Sequence, residues 1–429
     1  MSAAATQSLR DLQKDIWKCN KCGACTSVCP LYIQTRDEIM PARGKLALID
    51  AMLEGKLEQD EGYSQCLDNC LLCQACKSVC ASGVPTTDIF QAARRELFQS
   101  GKYHPILRQV LRRIFANPGV VSLGAAALGI YQRKGIGSLV RSSGLLRLMP
   151  SFLGQFAESN LSAAPTGIYS DKSFPRPVTP RGTAGLFTGC AIKLFMPRVQ
   201  LATGRLLSFN GWAVTAPRNF CCGVPHQAYG DTETALELAR KNIDLFESME
   251  VVVTDCATCG ATLKEYGSLL AGDDKYRDRA RAFSAKVHDI SEIIVKGDLH
   301  RHFNLPSPDG KEGTIRVTYH DPCHLARSQG IRQQPRSLLK EVPGIELVEM
   351  ERSDACCGGS GTFLFTHPDI AGGIGSVKAE DILATGADVL VSGCPGCIMQ
   401  LKLSLHVKRK GSIQVLHLTE LLAQRLSLI

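Results

Sequence analysis

The chain is poor in aromatic residues and has no long apolar run. Only 6% of its 429 residues are Phe, Trp or Tyr, and two are Trp. No basic run is interleaved with aromatics, so nucleic acid is not an expected partner. No stretch of about eighteen apolar residues is free of charge, which excludes an evident membrane-spanning helix. The opening MSAAATQSLRDLQKDIWKC lacks the apolar segment of a secretory signal, and a cytoplasmic location is expected. No G-x-G-x-x-G opens a helix after a strand, and no P-loop appears. A flavin or nicotinamide site on this chain is therefore not expected. Acidic residues are missing from His104 to Ala157, while Arg108, Arg112, Arg113, Arg133, Lys134, Arg141 and Arg147 are present. The net charge of +8 is modest. It suits solubility, an acidic partner, or peripheral contact with anionic lipid at the inner face of the membrane.

Cysteine is abundant instead, with nineteen residues. The odd count, the short spacings and the missing export signal argue against disulfides and for metal. Cys19, Cys22, Cys25 and Cys29 form C-x2-C-x2-C-x3-C, closed by Pro30. Cys70, Cys73, Cys76 and Cys80 repeat the spacing, with Ala81 in place of the proline. This run ligates [4Fe–4S] clusters, and the fourth cysteine of each run serves the other cluster. The expected sets are Cys19, Cys22, Cys25 and Cys80 for one cluster, and Cys70, Cys73, Cys76 and Cys29 for the other. Zinc also suits thiolates, but its sites pair two separate knuckles. Cys66 is left over. Helices are expected on either side of the second run. One covers Lys45–Leu57, with Leu46, Ile49, Leu53 and Leu57 on one face. The other starts at a Thr87 or Asp88 cap and stops at Gly101.

From Gly185 the chain repeats itself. GLFTGC ends at Cys190, leads to Cys221-Cys222-Gly223, and then to VVVTDCATC with Cys256 and Cys259. RVTYHDPC ends at Cys323, leads to Cys356-Cys357-Gly358, and then to VLVSGCPGC with Cys394 and Cys397. β-branched runs before the cysteines read as buried strands, and segments such as TETALELARKNIDLFESM read as helices. Alternating strands and helices imply a mostly parallel sheet in each copy. Cysteines at the strand ends would share one rim, where α/β folds place their sites. The expected class is α+β / α/β multidomain: a helical two-cluster module followed by two repeated α/β units. The expected division is 1–103, 104–182, 183–300 and 313–429. Within 104–157, short amphipathic helices are expected, broken by Pro118, Gly119 and later glycines. Packing on the chain itself or on a partner is favoured there over lipid. Ser159 to Gly182 reads as a linker.

Two ferredoxin runs followed by two such units resemble proteins with paired cysteine-rich CCG domains. These include a heterodisulfide reductase subunit and the iron–sulfur subunits of lactate utilisation, anaerobic glycerol-3-phosphate dehydrogenase and glycolate oxidase. PARGKLALID, YHDPCHLARSQGIRQQPRSLL, CCGGSGTF and GCPGCIMQL are most similar to the last. The resemblance implies an electron-transfer subunit with no catalytic residue of its own. A separate FAD-binding subunit would oxidise a 2-hydroxy acid, and a quinone or other carrier would take the electrons. A heterodisulfide-reductase-like reading would make the CCG units catalytic, and a glycerol-3-phosphate dehydrogenase subunit is a further alternative. The resemblance also implies noncubane [4Fe–4S] clusters, each using five cysteines, with zinc as the alternative. The matching frames are Cys190, Cys221, Cys222, Cys256 and Cys259, and Cys323, Cys356, Cys357, Cys394 and Cys397. His320 and Asp321 precede Cys323. His226 and His324 stand where an imidazole can orient or tune a metal ligand.

Overall fold

A computed structural model describes residues 7–101, 103–133, 151–161, 174–296, 314–408 and 413–429. Residues 162–173, half of the expected linker, and residues 134–150 of the basic segment lie outside these.

The N-terminal module is helical around its cysteine loops. Helix Ala42–Leu53 buries Leu46, Ile49 and Leu53. It stops before Leu57, which is 44% exposed, so the expected four-residue face is cut to three. Gly55, at φ +71°, takes the chain out of the helix. Helix Thr86–Gln99 starts one residue before the expected caps, directly after Pro85. Its Thr86 hydroxyl lies 3.2 Å from Cys76 Sγ. Asp88 falls in the first turn, where the helix dipole favours a carboxylate.

The basic segment is more continuous than expected. Helix Pro105–Val110 runs into a π turn at Leu111–Phe115, and Pro118 then opens a helix to Arg133. That helix passes through Gly119, Gly124 and Gly129. Pro118 separates two helices because proline suits a first turn, but the later glycines break nothing up to Arg133.

The two repeats form matching four-stranded sheets, parallel throughout. The first has β1 (Gly182–Phe187), β2 (Trp212–Thr215), β3 (Val251–Thr254) and β4 (Val287–Asp289), in the order β2-β1-β3-β4. The second has β5 (Ile315–His320), β6 (Ile345–Leu347), β7 (Val389–Ser392) and β8 (Gln414–His417), in the order β6-β5-β7-β8. Strand order reverses between β1 and β3, and between β5 and β7. In open α/β sheets that crevice, at the carboxyl ends, is where sites form.

The units pack reciprocally. Helix Pro197–Phe209 of the first meets Leu418–Arg425 of the second, and Ile290–Val295 meets the equivalent Gln333–Glu341. An approximate two-fold therefore relates them. Leu186 and Val253 share a core with Val317, Tyr319 and Val391. Leu31, Leu71 and Ala75 of the N-terminal module join the larger core with both units. All three parts thus converge on the cysteine rims.

Candidate metal centres

Both ferredoxin loops have the same backbone bend. Lys21 and Gly23 have φ +58° and +84°; the equivalent Leu72 and Gln74 have +51° and +62°. A non-glycine residue there costs roughly 1 kcal/mol or more. The bend turns successive N–H groups towards one concave side, which accepts an anion. Repetition of this strain at matching positions fits a loop shaped around a negatively charged cluster.

The structure brings Cys29 out of its own run. It interacts electrostatically with Cys70 and Cys73, and Cys76 interacts with Cys70, Cys73 and Cys29. Cys25 interacts with Cys19. Burial pushes the Cys29 thiol up to about 11 and the Cys76 thiol to about 12. As free thiols both would stay protonated at neutral pH, so thiolate forms only when a metal replaces the proton. Cys22 is exposed and Cys73 is buried, so the first loop faces solvent while the second faces the CCG units. Cys66 interacts with Cys70, but its Sγ is turned to the Ile39 carbonyl, 3.5 Å away.

Two buried cations brace the module, and one of them, Arg94, holds the second loop. Arg94 donates to the carbonyls of Leu67, Asp68, Cys70 and Ala228, tying the loop to the first CCG unit. Lys45 donates to Met40 O at 2.6 Å. Buried Arg and Lys without these acceptors would be costly. Arg94 acts through contacts far along the chain, which spacing does not reveal.

In the first unit, Cys190 follows β1, Cys221 and Cys222 lie beyond β2, and Cys256 and Cys259 follow β3. Thiol contacts link Cys190 to Cys221, Cys221 to Cys222, Cys222 to Cys259, and Cys259 to Cys256. All five therefore meet at one rim. Gly223 at φ +94° and its counterpart Gly358 at +85° need glycine to bend each Cys-Cys pair into place. Gly189 passes so close to the sulfurs that a Cβ would lie 3.2 Å from Cys259 Sγ. Lys193 lies beside Cys190, Cys221 and Cys259, with its ammonium on Asn219.

In the second unit, Cys394 contacts Cys397, and Cys397 contacts Cys357. Cys323 interacts with Cys73, Cys357 and Cys394, and burial pushes its thiol up. A cavity of about 130 Å³ opens here, lined by all five cysteines of this frame and by Cys73. No cysteine of the first frame lines it.

Two contacts join the sites in series. The Cys73 thiol hydrogen-bonds with Cys356, joining the ferredoxin loop to the second frame. Cys256 and Cys394 touch across the two-fold, joining the frames. Ala257 N donates to Gly393 O at 3.1 Å. Its counterpart Pro395 has no N–H to return, and His417 Nε2 meets Asp255 O at 2.7 Å instead.

The two histidines singled out by sequence have different surroundings. His324 Nδ1 is 3.8 Å from Cys323 Sγ and 3.3 Å from Thr258 Oγ1, whose oxygen is 3.6 Å from Cys394 Sγ. His226 is fully buried and meets Asp231 at 3.5 Å; neither of its nitrogens hydrogen-bonds a sulfur. Grouped buried thiols, anion-accepting loops, nearby cations and a cavity at the second frame make a donor set that fits iron–sulfur clusters.

Comparison with known proteins agrees with this architecture. A 4Fe-4S dicluster domain matches residues 15–84, and a cysteine-rich domain matches 184–264 and 317–402. The linker region of glycolate oxidase iron–sulfur subunits matches 105–159. The probable glycolate oxidase iron–sulfur subunit of Bacillus subtilis (strain 168) is 33% identical over 424 residues, covering 96% of this chain and 94% of that protein. The glycolate oxidase iron–sulfur subunit of Escherichia coli (strain K12) is 28% identical, covering 98% and 97%. A fumarate reductase (CoM/CoB) subunit of Methanothermobacter marburgensis is 36% identical over 245 residues, covering 57% and 46%. The matched domains keep the order of the cysteine sites along the chain, and the B. subtilis likeness runs almost end to end. The chain therefore belongs to the family of glycolate oxidase iron–sulfur subunits, which are electron-transfer subunits of oxidoreductases.

Proposed function

We propose that the chain conducts electrons for a flavin-dependent dehydrogenase of 2-hydroxy acids. The acid is oxidised on a partner FAD-binding subunit, and a quinone or other carrier receives the electrons. The observation that carries this reading is the contact of the second ferredoxin loop with the frames. It runs from the second loop through Cys73–Cys356 into the second frame, and through Cys394–Cys256 into the first, with the exposed Cys22 at the solvent side of the module.

Cys19, Cys22, Cys25 and Cys80 would hold one [4Fe–4S] cluster, and Cys70, Cys73, Cys76 and Cys29 the other. The two CCG frames would each hold a further cluster. Bound clusters supply one-electron steps. The chain's own residues bury the sites, bend the loops and place Lys193 and Arg327 beside the thiols; Arg327 donates to Cys73 O at 3.2 Å. Among the described residues no helix is long and apolar enough to cross a membrane. We place the chain in the cytoplasm, with any membrane contact peripheral.

The test is reconstitution with the partner under anaerobic conditions. Cys73→Ser should abolish hydroxy-acid oxidation linked to an external acceptor, while the substrate still reduces the partner's flavin. Full acceptor-linked activity in Cys73→Ser would refute the route.

A further inference from the structure

The second frame contains a donor that cysteine spacing alone does not single out. His320 ends β5 and is 1% exposed. Neither of its ring nitrogens bonds an oxygen or another nitrogen, and the ring faces the Cys357 thiol. A ring nitrogen of His320 and the Sγ atoms of Cys357 and Cys397 all lie within 4.8 Å of one another. Three soft or borderline donors at this spacing are within reach of a single metal atom.

The internal repeat provides a control for this position. The equivalent of β5 is β1, and the residue three before the first frame's cysteine is Phe187. Phe187 pairs with Thr254 in its sheet as His320 pairs with Ser392. Its fully buried ring packs on Phe246, centroids 5.9 Å apart. An apolar ring therefore satisfies packing here, and an imidazole facing a buried thiol requires another reason. His226 is no substitute in the first unit, because it faces Asp231. Its counterpart four residues after Cys357 is Gly361.

We propose that His320 is a nitrogen ligand to an iron atom that it shares with Cys357 and Cys397. The second frame then supplies six donors and the first supplies five, so the two sites are chemically distinct. Six donors exceed the four of a structural zinc ion, which favours a multi-iron centre. This inference rests on the reading that the frames hold iron–sulfur clusters.

The test uses the full chain, purified anaerobically with ¹⁵N-labelled histidine, and pulsed EPR of its reduced form. The expected result is the strong coupling of a directly bound imidazole nitrogen. It should persist in His324→Gln and vanish in His320→Phe, the residue type found in the first unit. About sixteen irons per chain, at four per cluster, with only weak nitrogen couplings would overturn the ligand and leave the cluster reading standing. About eight irons would overturn the cluster reading and the ligand with it. One zinc per chain, lost in His320→Phe, would overturn the iron assignment. Where His320→Phe does not fold, a labelled wild-type spectrum without strong coupling still overturns the ligand, and coupling that persists in His324→Gln and in His226→Gln supports it.

Discussion

Replacing Arg112 by methionine should loosen the basic segment from the first CCG unit. Arg112 lies in the π turn and donates to both oxygens of Asp231, at 2.7 and 2.8 Å. Asp231 is 2% exposed, caps helix Thr232–Leu245, and lies 3.5 Å from His226. Burial alone would raise its pKa; Arg112, with His226 and Thr234, holds it well below the usual carboxylate range. Removing one partner of a buried pair costs about 3–5 kcal/mol, because the other charge is left without compensation. Arg112 is 32% exposed. Water reaches it and softens the loss, so about 2–3 kcal/mol is expected. Asp231→Asn in the same background should recover part of it, with a coupling of about 1–3 kcal/mol. Urea denaturation of the anaerobic holoprotein, across the four proteins of the cycle, measures both quantities. The folded pKa of Asp231 is depressed, so its contribution is present above an unfolded pKa of about 3.9 and is lost as pH falls through the folded value. Neutral pH therefore shows the full effect. A cost below about 0.5 kcal/mol, or no coupling, would refute the reasoning.

Other outcomes can be measured on the same material. Burial lowers the pKa of His417 to about 4. Between its unfolded value of about 6.5 and 4, the unfolded chain binds the proton and the folded chain does not. Acidification over that window should therefore remove about 3 kcal/mol, and His417→Gln should flatten the slope in pH-dependent unfolding. Gly189→Ala would press a Cβ to 3.2 Å from Cys259 Sγ. Iron analysis should fall from about sixteen towards about twelve per chain, with the ferredoxin EPR signals unchanged. Cys66→Ala should leave the iron content intact, since that thiol hydrogen-bonds a carbonyl oxygen; a loss of about four irons would make it a ligand.

The cysteine frames and the repeat were legible because ligand chemistry imposes short spacings. Strands are also recognisable from β-branched runs such as VVVT and VLVS, which here become β3 and β7. Helix ends were less legible. Periodicity carried the first helix to Leu57, but the chain leaves the core after Leu53. Glycines in 119–129 read as breaks, yet packing against helix Cys190–Phe195 supports a continuous helix there. The sites' neighbours were hidden for another reason. Arg94, Lys193 and Arg327 act through contacts with carbonyls or thiols brought near by folding, and no local pattern marks them. His320 is visible three residues before Cys323, but its place beside Cys357 and Cys397, and its contrast with Phe187, come only from the fold.

The most direct test of the central claim is anaerobic metal and sulfide analysis with EPR of the reduced chain. The account predicts about sixteen irons per chain, matching sulfide, and reducible paramagnetic clusters that include both ferredoxin centres. Predominant zinc with no reducible iron would contradict it.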